Sequence, residues 1–247
     1  MLFKGKKSVG ASLVTAWRQV ELTARGLTLP PSAILCPFAP LVKTAAGKNY
    51  LLKNVGGVEI YVLPDEKICL ATGFGCGGPA AAMAVELLAA LGVREMILVG
   101  LAGSLQEEVL PGDTVVCDGS FCADGTSVCY TSKEIIKPSA PLFERFTRAL
   151  RASGENFHVG RNWSADAIYR ETKAQIKHYQ KQQALTVEME TSAFYAACAR
   201  LRVRGVSAFV VSDSLHKLRW EPDFKNAALG PNLRRLFDCA RRTLNAK

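Results

Sequence analysis

The sequence predicts a single α/β layered domain, on three observations. Short apolar runs alternate with helix-length segments. One run, VSAFVV at 206–211, is continuous enough for a strand buried on both faces. No long linker, low-complexity segment or internal repeat divides the 247 residues, so one domain spans 1–247. The hydrophobic fraction of 49% against 21% charged residues supplies enough apolar side chain for one large core.

The elements follow in chain order. IYVLP and KICLAT (67–72) read as strands. The glycine-rich turn GFGCGGP leads into PAAAMAVELLAALG, a helix with Pro79 at its first position and Gly92 at its end. REMILVG (94–100) and DTVVCDG (113–119) are further strands, a long helix is expected near 139–153, and HVGRNWSADAIYRET (158–172) follows. VEMETSAFYAACARL reads as a helix, and VSAFVVSD (206–213) as a buried strand. The last segment, PNLRRLFDCARRTL, places Leu233, Leu236, Phe237, Ala240 and Leu244 on one face and arginines on the other.

Composition excludes several classes of function. A net charge of +9 would attract anions or nucleic acid. The basic residues are nevertheless scattered, and the clusters Arg200/Arg202/Arg204 and Arg234/Arg235/Arg241/Arg242 read as solvated helix faces. No nucleic-acid motif is present. The eight cysteines contain no C-x-x-C and sit mostly in apolar stretches, which points to a reduced, cytoplasmic chain. The three histidines have no metal-ligand spacing, so no metal is expected. The start, MLFKGKKSVGASLVTAWRQV, superficially suggests a signal peptide, but its apolar part is interrupted by Ser12, Thr15 and Arg18. No stretch reaches the roughly 20 apolar residues that span a bilayer, so no membrane partner is expected.

Two features invite a ligand. GFGCGGP lies between strand and helix, yet it matches neither the Walker loop nor the dinucleotide fingerprint, and a tight turn explains it equally well. VEMETSAF puts Glu188 and Glu190 at the entrance of an apolar helix. A carboxylate there meets free backbone amides and the positive end of the helix dipole. That accounts for one acid more readily than for two, because an acid-x-acid pair points in two directions. Asp213 ends the buried strand, where ligands gather in open α/β sheets, although a turn or cap would also use an aspartate. Together these acids suit cleavage of a sugar–base bond. A fixed carboxylate accepts from ribose hydroxyls, negative charge steadies an oxocarbenium-like transition state, and an acid helps the base depart. For Asp213 to donate near neutral pH, burial or a nearby acid would have to raise its pKa.

VEMETSAF followed by VVSDSL resembles the nucleoside phosphorylase superfamily, which includes purine nucleoside phosphorylases, uridine phosphorylases and methylthioadenosine/S-adenosylhomocysteine nucleosidases. GCGGPAAAMAVELLAALG, VGLAGSLQEEVLPGD and DGTSVCY are similar to further family segments. GRNWSADAIYRET looks like the W-T-x-D-A-x-Y-R-E-T run of the uridine-phosphorylase-like branch. These matches fall in family order over about residues 60–225. The resemblance implies a three-layer α/β sandwich around a mixed, partly barrel-like central sheet, assembled as dimers, trimers or hexamers. It implies that Glu190 accepts from ribose hydroxyls, with Met189 packing on the sugar and Glu188 supporting. Asp213, with Ser212 beside it, would face the base and act in its departure. Ala102 and Gly103 would line the base pocket through their backbone, Ile168 would take the place of a stacking aromatic, and Arg170 would contact the base.

The chain also departs from the family. Leu98 and Leu101 stand where phosphorylases carry an arginine and a threonine or serine for phosphate, and aliphatic side chains offer a dianion nothing. The N-terminal G-D-P-x-x-R loop is missing, and Phe121-Cys122-Ala123-Asp124 alters the segment before G-T-S. The nucleosidases' arginine before the S-D pair is Phe209 here. Phosphorolysis of a nucleoside is the first expectation, with phosphate as co-substrate and no other cofactor. A hydrolytic nucleosidase and a catalytically silent nucleoside-binding protein are the alternatives.

Overall fold

The computed structural model describes residues 12–48 and 50–246. The lysine-bearing start of the leader-like segment, residues 1–11, lies outside the described residues. Its apolar end enters a short helix, α1 (Ala16–Thr23), whose first turn is capped by the Thr15 hydroxyl. Then come β1 (Ser32–Leu35), α2 (Ala39–Ala46), β2 (Leu51–Val55), β3 (Val58–Val62) and β4 (Ile68–Thr72). The glycine turn leads into α3 (Gly78–Ala90), which starts one residue ahead of Pro79 and stops before Gly92, where φ is +108°. The stop is as expected from the sequence, and the start lies within one residue of the expected one.

The second half contains β5 (Glu95–Ser104), β6 (Thr114–Phe121), α4 (Ser127–Tyr130), β7 (Ile135–Ile136), α5 (Ala140–Ala152) and β8 (His158–Ser164). A 3₁₀ turn at Ile168–Arg170 precedes α6 (Lys173–Lys181), β9 (Ala184–Glu188), α7 (Thr191–Leu201), β10 (Arg204–Ser214), β11 (Glu221–Pro222) and α8 (Leu229–Asn245). The helix expected over VEMETSAFYAACARL therefore begins only at Thr191, and Val187 and Glu188 close a strand. REMILVG extends through Leu101–Ser104.

The sheet is mixed and partly closed. β5 pairs with β10, β10 with β6, β6 with β8, β8 with β9, and β9 returns to β5, which closes five strands into a barrel. From the other edge of β5 the sheet opens through β1, β4, β3 and β2. β5 and β10 serve both parts because they run 10 and 11 residues. Irregularities in β6, β8 and β10 supply the local bends that closure requires.

Helices cover both faces, giving three layers. One apolar cluster joins the sheet to α3 and α7, and another joins it to α2, α5 and α8. α8 buries the five side chains predicted for its inner face, the leucines and the phenylalanine each worth roughly 1.5–3 kcal/mol of transfer free energy. The arginines of its outer face make ion pairs, Arg234 with Asp238 and Arg241 with Glu66. Arg200, Arg202 and Arg204 do not share a helix face. Arg202 ends α7 in the left-handed region, and Arg204 starts β10, where it pairs with the buried Glu95 at 2.6 Å, as does Arg145. The turn between helix and strand defeats the spacing argument there.

Candidate active site

Three strand ends bring the acids together. Gly103 of β5 pairs on one side with Val187 of β9 and on the other with Asp213 of β10. The VEMET turn and Asp213 thus flank Gly103, two inter-strand spacings or about 10 Å apart. The register of β10 slips between Val211 and Asp213, so Ser212 is a bulge that re-aims the aspartate. A Cβ on Gly103 would lie 2.9 Å from Asp213 Oδ2 and 2.7 Å from Leu215 Cδ1, so any larger residue there must displace both side chains. Ala102 is buried in the same ladder, and its carbonyl lies 3.4 Å from the Ser212 hydroxyl.

The two glutamates point to different helices. Glu188 is buried and caps α7: its carboxylate accepts from the backbone N–H groups of Glu190 (2.8 Å) and Thr191 (2.9 Å). It also accepts from Asn162 Nδ2 at 2.7 Å and Ser164 Oγ at 2.6 Å, which ties the helix entrance to β8. Burial, and then the charge of Glu190, push the Glu188 carboxyl up, while these donors pull it back. Glu190 turns the other way, and its Oε1 accepts from the Gly77 N–H at 2.5 Å, at the entrance of α3. Gly77 adopts φ +89°, so the glycine turn presents this amide. Burial raises the Glu190 carboxyl as well. Met189 sits half-buried between the two.

Asp213 is held by two donors. Ser212 Oγ donates to Oδ1 at 2.6 Å, and the indole of Trp220 donates to Oδ2 at 3.0 Å. A cleft of about 240 Å³ is lined by Trp163, Tyr179, Arg170 and Glu171 among others, and Asp213 is not part of its lining. Trp163 and Tyr179 stack there at 4.4 Å. The carboxyl that burial pushes up, to about 7, is that of Glu171, with the Asp213 charge adding to the effect. Arg170 reaches this cleft; Ile168 is half exposed and is not part of its lining.

Glu171, Trp163, Tyr179 and Trp220 were not singled out from the sequence. Glu171 was legible as the acid of Y-R-E-T, whereas Trp220 lies in a connection with no signal of its own. The aliphatic substitutions are absorbed by the core: Leu98 packs in the cluster under α3 and α7, and Leu101 against the cluster on the opposite face. Neither offers a group to an anion. Among the described residues no His/Cys/Asp/Glu cluster could hold a metal ion, and no helix is long and apolar enough to cross a membrane.

The model of the Phosphorylase superfamily matches residues 35–240. The chain belongs to the phosphorylase superfamily. Within it, the sequence is 33% identical over 186 residues to a guanosine phosphorylase of Halorubrum lacusprofundi, covering 74% of this chain and 73% of that protein. It is 30% identical over 165 residues to a uridine phosphorylase of Escherichia coli, covering 60% of this chain and 64% of that enzyme, just under two thirds of its length. A crystal structure of uridine phosphorylase from Vibrio fischeri ES114 superposes with a TM-score of 0.76 at 22% identity, over 87% of this chain and 92% of the other. That likeness establishes the three-layer fold with its barrel-like sheet. In this phosphorylase-superfamily chain, the acids of VEMET and the Asp213 strand end occupy adjoining edges of one barrel mouth.

Proposed function

We propose that the protein cleaves the N-glycosidic bond of a nucleoside by phosphorolysis, giving free base and pentose 1-phosphate. The observation that carries this reading is the placement of Glu190 and Asp213 on either side of Gly103. A nucleoside laid across this strand end sets its ribose hydroxyls on Glu190, whose Oε1 is fixed by Gly77, and its base toward Asp213, fixed by Ser212 and Trp220. Met189 packs on the sugar, Ala102 and Gly103 present backbone to the base, and Arg170 and Ile168 flank its outer side. Relatives named as guanosine, uridine and purine nucleoside phosphorylases support the reaction class.

The chemistry follows from charge. As the bond breaks, positive charge grows on the sugar, where Glu190 is already oriented, and the electron pair passes to the base, where a proton shared by the Asp213 carboxyl would offset it. Electrostatic preorganisation of this kind avoids reorienting solvent at the moment of reaction. Phosphate then attacks the anomeric carbon. In this reading its contacts come from groups other than Leu98 and Leu101. A homo-oligomer is part of the proposal, as is a reducing, cytoplasmic location, which the eight unpaired cysteines support.

A second reading, hydrolysis by water, is favoured by those same two leucines. Release of free base from purine and pyrimidine nucleosides, with and without inorganic phosphate, separates the two. Phosphate-dependent release is expected. Equal release in its absence makes the protein a nucleosidase, and no release with retained binding overturns catalysis.

A further inference from the structure

Asp124 is a buried carboxylate that the chemistry above leaves unused. It lies in the loop between β6 and α4, where its Oδ1 accepts from the backbone N–H groups of Thr126 at 2.8 Å and Ser127 at 2.7 Å. Those two bonds alone would make it an ordinary turn residue, a role aspartate often fills. A turn residue has no need of burial, and a carboxylate taken out of water costs free energy unless its oxygens are satisfied. The second oxygen reaches further. Oδ2 accepts from the hydroxyl of Ser192, 68 residues away in the chain, on the first turn of α7.

That turn carries the sugar-side acid. Glu190 is the residue that opens α7, and Ser192 follows it by two positions. The Ser192 backbone N–H is held in turn by Ser164 of β8 at 3.0 Å, so the start of α7 is clamped between β8 and the Asp124 loop. The same carboxylate also abuts α3. A Cβ on Gly78 would lie 3.0 Å from Asp124 Oδ1 and 3.2 Å from Ala193 Cβ. Gly78 follows Gly77, whose N–H fixes Glu190 Oε1. Asp124 thus sits where the helix that carries Glu190 meets the turn that orients its carboxylate, packed too closely for either to slide.

We propose that Asp124 is a positioning residue for Glu190: by holding Ser192 and abutting Gly78 it fixes the carboxylate that receives the ribose hydroxyls, and it touches no substrate itself. This rests on the nucleoside reading above, in which Glu190 meets the sugar. A supporting side chain that keeps a binding group within about 0.5 Å of its place acts on affinity through geometry alone. Loss of Asp124 therefore weakens recognition of the sugar and leaves recognition of the base, on the Asp213 side of Gly103, as it was. Three changes separate the contributions. Asp124→Ala removes all three bonds, and Ser192→Ala removes only the one that joins the loop to α7. Asp124→Asn keeps an oxygen for the two N–H groups and offers its Nδ2 to the Ser192 hydroxyl, which then accepts instead of donating.

Calorimetric binding of inosine against hypoxanthine, and of uridine against uracil, in phosphate-free buffer reads the sugar's share of the affinity. Asp124→Ala and Ser192→Ala are expected to weaken nucleoside binding about fivefold and free-base binding not at all, with Asp124→Asn within about twofold of wild type. In a Glu190→Ala background Asp124→Ala and Ser192→Ala are expected to add no further loss, because a positioning residue has no effect once the group it positions is gone. Equal losses for nucleoside and base, as a general loosening of the fold would give, overturn the assignment. So does a full additional loss in the Glu190→Ala background. Where Asp124→Ala fails to fold, Ser192→Ala decides by the same comparison with the loop's own bonds kept. A wild-type protein that binds neither nucleoside overturns the nucleoside reading and the assignment together; intact wild-type binding with equal losses in the variants overturns the assignment alone.

Discussion

Glu190 works at a junction of two helices. Its backbone N–H is held by Glu188, while its own carboxylate holds the Gly77 amide before α3. Glu190→Ala is therefore expected to weaken nucleoside binding about tenfold or more while leaving affinity for free base almost unchanged; equal losses for both ligands would remove the sugar contact. Asp213→Asn keeps the shape but not the charge. It should lower turnover of a bound nucleoside by roughly 10²-fold with little change in binding, on the scale of general-acid and electrostatic assistance. Unchanged turnover would take Asp213 out of the chemistry. Glu188 differs in kind, because its carboxyl accepts from the backbone N–H groups of Glu190 and Thr191 and from the side chains of Asn162 and Ser164. Glu188→Gln turns an amide toward those donors and is expected to destabilise the fold by about 1–3 kcal/mol, which thermal unfolding measures.

At the scale of elements, the bulge at Ser212 and the bare Cα of Gly103 are one device. The bulge re-aims Asp213 over Gly103, and the missing Cβ leaves the space its carboxylate uses. Gly103→Ala should consequently reduce activity far more than stability, since Asp213 and Leu215 move while the ladder hydrogen bonds remain. An activity loss no larger than the loss of folded protein would count against that coupling. The alternation of strands and helices, the limits of α3 and the buried face of α8 were legible because hydrophobic period, Pro79, Gly92 and apolar spacing are local signals. The start of α7 was not, because VEM carries the same apolar-acid pattern whether it closes a strand or opens a helix. Only pairing of Val187 with Gly103 decides it. Glu171 shows the same limit at the site: the acid stands in the sequence, but its half-burial in the cleft of Trp163 and Tyr179 is a tertiary fact.

For the molecule as a whole, the question is how a dianion enters a site whose two expected phosphate ligands have become core leucines. Leu98 is buried in the cluster under α3 and α7, so restoring an arginine there would bury an unpaired charge, while Leu101 packs, partly buried, against the cluster on the opposite face of β5. If phosphate is the nucleophile, it must still bind the folded protein before chemistry. Binding to the native state alone adds about 2.7 kcal/mol at a ligand concentration 100 times its Kd. For a chain of this size each kcal/mol moves Tm by about 2–4 °C. Saturating inorganic phosphate is thus expected to raise Tm by about 5–10 °C, against sulfate-free and chloride-matched controls that remove the general effect of salt on a chain of net charge +9. A phosphate-specific shift would mean that groups outside β5 have taken over the anion. Its absence, together with base release in phosphate-free buffer, would mean that the leucines mark a site where water replaces phosphate as the nucleophile.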